Sequence, residues 1–333
     1  MINRKLFYIV SLLFALCLRS NGQTSENEGG FKEMLMKYSE TDANSDGVLN
    51  LSETRTYKKK FLDKKTVKRD VKGGERHIYK TVDGIELPLY VFIPKGHKST
   101  NKTPAIVFFH GGGWTKGSPD QFEKQCNYLA KRGMVAITVQ YRLLSDTSQI
   151  EDCIQDAKSA MRWVRGNAST LGIDSTRIAS AGGSAGGHLA ACVSLIEEFD
   201  AVTDDLSISA KPNAMVLFNP AMALAPHDAL PEATNQQLEQ RFQHRTNAPL
   251  PKISPLNYAD TPQPPCIMFF GTKDRLMQVA DIYLNISQKA GNICDMVRYE
   301  GQAHAFFNNG IYLDQTLAET DKFLVDLGWL KGK

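Results

Sequence analysis

The sequence has no apolar run of bilayer length, no CxxC pair, no internal repeat and almost no net charge. A membrane-spanning helix needs about 20 consecutive apolar residues. The longest run here, Leu6 to Leu18, is shorter and is interrupted by Ser11. The formal charge of +3 includes Arg4, Lys5 and Arg19, and the first 22 residues hold no acid, so residues 23–333 are neutral overall. That balance leaves no footprint for nucleic acid or an anionic membrane. The locally basic stretch from Lys58 to Lys72 reads as a solvated helix face or a linker. Beyond residue 22 the cysteines are Cys126, Cys153, Cys192, Cys266 and Cys294. An odd set without regular spacing is no disulfide framework, and nothing here has zinc-pair spacing. A Cys266–Cys294 bridge, at the starts of two predicted strands, and buried free thiols are both open.

Arg4 and Lys5, the apolar run, and then Ser20-Asn21-Gly22 before Gln23 predict a signal peptide over residues 1–22. Export to the periplasm or beyond follows, with no transmembrane segment left after processing. A lipoprotein reading through Cys17 is the weaker one, because bulky Leu16 stands where a small residue is wanted. Residues 23–62 predict a small helix–loop–helix, with Phe31, Met34, Leu35 and Tyr38 at helical spacing. Its loop matches a twelve-residue EF-hand pattern: Asp42, Asn44, Asp46, Val48 (through its carbonyl), Asn50 and Glu53 fall at ligand positions, with Gly47 at the turn. Calcium is expected there in a structural or tethering role, against the alternative of an unoccupied acidic turn. Residues 63–76, charged and containing Gly73-Gly74, predict a linker.

From His77 to the end, predicted strands alternate with helices, the pattern of an α/β fold with a mostly parallel sheet covered on both faces. Asp83-Gly84 is a hairpin signal between the first two strands. Ala105–Phe109 is apolar throughout, as a strand buried on both faces should be. Residues 221–264 are long, punctuated by prolines and free of strand pattern, which predicts a lid-like or substrate-binding insertion.

Gly182-Gly183-Ser184-Ala185-Gly186 fits G-x-S-x-G and lies between a predicted strand and a predicted helix. A sharp turn there exposes the Ser184 hydroxyl, and the glycines let backbones approach without Cβ clashes. His110-Gly111-Gly112-Gly113-Trp114 follows another strand. Ester hydrolysis passes through a tetrahedral oxyanion, and the N–H groups of Gly112 and Gly113, with that of Ala185, are candidate donors to it. A serine nucleophile needs a base, and the base an orienting acid, in the order Ser, Asp, His. Of seven histidines, only His304 follows the last predicted core strand and an acid candidate. That acid is Asp274, after the strand ending near Phe270; Asp281 is the reserve, on the next predicted helix.

These residues resemble the α/β-hydrolase esterases, in particular a feruloyl/acetyl-xylan-esterase-like branch near the hormone-sensitive-lipase family. HGGGW, VQYRL at 139–143, DAKSAMRWVR at 156–165, DSTRIASAGGSAGGHLAA at 174–191, FFGTKD and GQAHAF carry the likeness. Gly183 replaces the Asp usual before the nucleophile in the lipase family, and Asp274 sits in GTxD, not DPxxD. The resemblance implies hydrolysis of short acyl or aryl esters, including acetyl or feruloyl groups on polysaccharides, with no cofactor for catalysis. Two other classes compete: a non-catalytic, calcium-dependent binding scaffold, and an exported peptidase or amidase of the same fold.

Overall fold

The computed structural model describes residues 42, 45–48 and 71–332. The predicted signal peptide, the helices of the predicted EF-hand, its ligands Asn44, Asn50 and Glu53, and most of the predicted linker lie outside the described residues. The chain separates into two units between Arg69 and Asp70.

The second unit is built on one eight-stranded sheet: β1 (Glu75–Val82), β2 (Ile85–Phe92), β3 (Thr103–Phe109), β4 (Val135–Val139), β5 (Ile173–Gly183), β6 (Ala214–Phe218), β7 (Cys266–Gly271) and β8 (Cys294–Tyr299). Their spatial order is β1-β2-β4-β3-β5-β6-β7-β8. β1 and β2 pair antiparallel, β2 runs antiparallel to β4, and every later pair is parallel. The hairpin signal forms its turn with Asp83 at φ 50° and Gly84 at φ 76°, the two left-handed residues of a two-residue turn that matches strand twist. β1 starts at Glu75, so the end of the stretch expected as a linker belongs to this edge strand. Main-chain pairing to Val91 decides that, whatever the charge of the side chains.

Successive residues of β3 enter opposite cores. Ala105, Val107 and Phe109 pack with helices α2 (Ile150–Gly166), α3 (Ala185–Leu195) and α5 (Met277–Lys289). Ile106 and Phe108 pack with α1 (Glu123–Lys131) and α6 (Gly310–Asp326) on the other face. Burying apolar side chains of this size stabilises by about 1.5–3 kcal/mol each, and the sheet supplies both faces with them.

The stretch 221–264 is more ordered than its sequence suggests. It contains α4 (Glu232–Phe242) and short 3-10 turns at Leu250–Ile253 and Pro255–Tyr258. Helix α4 is nearly all polar, and Phe242 is its single buried residue, so no apolar periodicity announced it. Leu224, Ile253 and Leu256 bury into the same core as α3.

Two of the motif segments hold the scaffold. Asp156, fully buried on α2, takes Arg142 Nε at 2.8 Å and Nη2 at 2.9 Å, and Lys80 Nζ at 2.9 Å. Asp156→Ala should leave Lys80 without a carboxylate and Arg142 with Asp152 alone, and lower unfolding free energy by about 3 kcal/mol. Urea denaturation checks this; a loss under about 1 kcal/mol would contradict it.

Candidate active site

β5 delivers Ser184 to a backbone conformation of φ 54° and ψ −114° before α3 begins. A non-glycine residue there costs about 1–3 kcal/mol and persists only where its surroundings hold it. Ser184 N–H donates to Phe218 O at 2.9 Å, while Ser184 O accepts from His188 N–H at 3.0 Å and Ala221 N–H at 3.2 Å. Helix α3 also lies hard against the end of β3: a Cβ on Gly186 would stand 1.9 Å from Phe109 O. Gly183 has a packing reason too. Its Cβ would fall 2.6 Å from Cζ of Phe307, a buried ring filling the space that an aspartate there would need.

His304 stands in the loop after β8, and its Nε2 lies 2.9 Å from Ser184 Oγ. On the other side of the ring, Nδ1 lies 2.7 Å from Asp274 Oδ2. Asp274 is buried, and its other oxygen, Oδ1, accepts the Leu276 N–H at 2.9 Å. It sits three residues past the end of β7 in a turn closed by its own N–H to Gly271 O at 3.0 Å. The reserve acid, Asp281, is on α5 and pairs with Arg298 on β8, away from the imidazole. Serine, imidazole and buried carboxylate thus form one hydrogen-bonded line, able to move a proton off a hydroxyl and to stabilise the imidazolium that results.

The glycine loop closes over the same serine. A Cβ built on Gly111 would lie 3.5 Å from Ser184 Cβ. Gly112 has φ 119°, and a side chain there would meet Lys116 O at 2.0 Å, so only glycine fits this turn. The Gly111 N–H is consumed by Gln121 Oε1 at 2.6 Å. No described residue accepts a hydrogen bond from the N–H of Gly112, Gly113 or Ala185.

Gln121 escaped the sequence analysis. Its Nε2 donates to Asn308 Oδ1 at 3.0 Å, and Asn308 Nδ2 donates to Ala305 O at 2.9 Å. Asn219, fully buried after β6, accepts the Ala305 N–H at 3.0 Å. One chain of amides therefore ties the glycine loop to the loop that carries His304. A single sequence offers only a weak hint of it, two carboxamides beside strand and helix ends.

The other histidines stand apart. His97 is held by Leu171 O at 2.8 Å and Thr103 Oγ1 at 3.1 Å. His188 Nε2 meets Ile253 O at 2.8 Å, and His110 stacks on Tyr141 at 4.2 Å between ring centroids. Burial lowers both His110 and His188 to about 4 from an ordinary 6.5. Between these values the unfolded chain binds protons that the fold refuses. Their contribution is therefore complete above about pH 6.5 and is lost as pH falls toward 4, at up to about 1.4 kcal/mol per pH unit for each histidine. His188→Gln should flatten the acid limb of a stability–pH curve from urea midpoints; an unchanged slope would contradict this.

All five described cysteines are buried free thiols. Cys266 and Cys294 are register partners on β7 and β8, and the side-chain interaction with Cys294, followed by burial, holds the Cys266 thiol well above its usual range.

A family profile, BD-FAE, matches residues 89–284, more than half of the chain. The chain belongs to the BD-FAE family. The apo form of Thermogutta terrifontis esterase 2 is similar at 40% identity and a TM-score of 0.75, over 80% of this chain and 99% of that one. Ethyl acetate hydrolase of Pseudomonas putida is 27% identical over 244 residues, 71% of this chain and 76% of that protein. An arylesterase of Saccharolobus solfataricus is 35% identical over 133 residues, 40% of this chain and 42% of its own length. This BD-FAE member is a serine carboxylesterase of the α/β-hydrolase fold, as the sheet order and these relatives agree. Among the described residues no helix is long and apolar enough to cross a membrane, and no group of three or more His, Cys, Asp or Glu side chains is placed to hold a metal.

Proposed function

We propose that this BD-FAE enzyme is exported and cleaves short acyl or aryl esters, acetyl or feruloyl groups on polysaccharides among them, with Ser184 as nucleophile. The observation that carries the chemistry is His304 bridging Ser184 at 2.9 Å and Asp274 at 2.7 Å. Ser184 Oγ attacks the ester carbonyl as His304 Nε2 takes its proton. Asp274 holds Nδ1–H and supports the imidazolium. The oxyanion is met by the N–H groups of Gly112, Gly113 and Ala185, each worth roughly 3–4 kcal/mol in the transition state. His304 then protonates the departing alcohol, and water, deprotonated by the same imidazole, releases the acid from the acyl-serine. No step requires a cofactor.

Solved forms of the Thermogutta esterase carry bound propionate and butyrate, and another is phosphonylated by sarin, which supports a short-acyl, serine-based reading here. Export rests on the N-terminal signature, and polysaccharide esters rest on the resemblance of the motifs. The test is hydrolysis of p-nitrophenyl butyrate, with intact mass and peptide mapping after treatment with an organophosphate. One adduct on Ser184 and parallel loss of activity are expected. A different labelled residue would overturn the assignment, and cleavage of matched amides in preference to esters would favour the amidase reading.

The calcium site is proposed on the loop's own geometry. Asp42 carboxylate oxygens accept the N–H of Asp46 at 3.2 Å and of Gly47 at 2.8 Å, and Asp46 Oδ1 accepts that of Val48 at 2.8 Å. Gly47 takes φ 78°, the sharp turn that such a loop needs at its sixth position. These oxygens suit a hard cation, which would be completed by Asn44, Asn50 and Glu53. Millimolar calcium should raise the melting temperature of the full chain relative to chelator, by binding linkage. Identical melting curves would count against it.

A further inference from the structure

Beside the glycine loop lies an open cleft of about 240 Å³ lined by Thr115, Ser145, Ser148, Gln149, His244 and Arg245. It adjoins the glycine loop directly: Thr115 Oγ1 and N–H both point to Gly112 O, and Trp114 O accepts the Leu144 N–H at 2.8 Å. Two observations bear on what the cleft can bind. Ser148 is only 5% exposed, yet its hydroxyl has no hydrogen-bond partner among the described residues. A buried hydroxyl left unpaired is unfavourable, and a ligand that accepts from it removes that cost.

The second observation is charge. Arg245 has no ion pair among the described residues, and neither have Arg241 or Arg275. Arg241 and Arg245 share one ring, standing 5.3 and 6.0 Å from the centroid of Phe242, which in turn meets Trp114 edge-on at 5.8 Å. Arg275 follows Asp274 in sequence, and burial, then the fields of Arg275 and Arg245, lower the Arg241 guanidinium from its ordinary range. The carboxylate that approaches this segment, Glu151, is already engaged by Thr246 Oγ1 at 2.6 Å and Asn247 N–H at 2.8 Å. Arg245 is the guanidinium that lines the cleft, and without an ion pair among the described residues it favours an anionic visitor.

We infer that this cleft is a substrate subsite for a carboxylate, so that the preferred esters carry a carboxylate in addition to the ester group. Arg245 supplies the charge and the fork of donors, and Ser148 supplies an uncommitted hydroxyl. The inference rests on the esterase reading above only in that the glycine loop is taken as the reacting end. The carboxylate could belong to the alcohol or to the acyl half of the ester, and the same chemistry serves both.

Calorimetric binding to the inactive Ser184→Ala full chain separates this from turnover. Two matched pairs serve as probes: 4-acetoxybenzoate against 4-acetoxybenzamide for the alcohol half, and monophenyl succinate against its amide for the acyl half. In one pair the carboxylate should bind about tenfold or more tightly. That ratio should collapse toward one in Ser184→Ala/Arg245→Gln and partly return with Arg245→Lys. Equal affinities within both pairs, or a ratio untouched by Arg245→Gln, would overturn the inference. Failure of the wild-type chain to hydrolyse any of the esters would bear on the esterase mechanism and leave this binding result standing.

Discussion

Ser184→Ala is expected to lower kcat for p-nitrophenyl butyrate by at least about 10⁴-fold, since triad members act as a unit and losing one forfeits nearly all of their joint effect. Ser184 Oγ is the hydroxyl that His304 Nε2 reaches, at 2.9 Å. Ser184→Gly should be equally inactive but differ in stability. Serine and alanine both carry the strain of φ 54°, ψ −114°, roughly 1–3 kcal/mol, whereas glycine relieves it and returns about 0.5–1 kcal/mol in unfolded-state entropy. Ser184→Gly should therefore melt above Ser184→Ala, with about 1 kcal/mol between them. An alanine variant retaining a tenth of wild-type activity would refute the assignment of the nucleophile. A glycine variant less stable than alanine would mean that packing of the Cβ, and not torsional strain, dominates at the turn, since both variants keep the main-chain bonds to Phe218 and Ala221.

Asp274→Asn carries the second large effect. The carboxylate accepts from both sides, from His304 Nδ1 at 2.7 Å and from Leu276 N–H at 2.9 Å. An asparagine keeps the shape, but its amide oxygen satisfies the Leu276 N–H, leaving the NH₂ to face Nδ1. The imidazole must then carry its proton on Nε2, the nitrogen that has to accept from Ser184. Fold and substrate binding should survive while kcat falls by about 10⁴-fold. A fall under tenfold would remove Asp274 from the reaction. Asp281 could not replace it, being committed to Arg298.

Much of this was legible in the residues. The order of strands and helices followed from apolar runs and turn residues. The Ser184 turn was visible because its glycines stand in the turn itself, although the atom that keeps Gly186 bare, Phe109 O, comes from a distant strand. The order Ser184, Asp274, His304 followed from where each falls after its strand. Helix α4 was missed because it buries only Phe242. The beginning of β1 was missed because main-chain pairing to β2 overrides its charged side chains.

The sequence by itself determined most of the elements, the turn that presents Ser184 and the candidate acid and imidazole, since each is read from neighbours within a few residues of a strand end. The tertiary structure alone decided which groups meet across the fold. Gln121 reaches Asn308 over a separation of 187 residues, Phe307 fills the room beside Gly183, and Arg245 lines one cleft with Thr115 and Ser148. Such contacts depend on how the layers pack in three dimensions, and one chain's residue order carries almost no local signal of that packing.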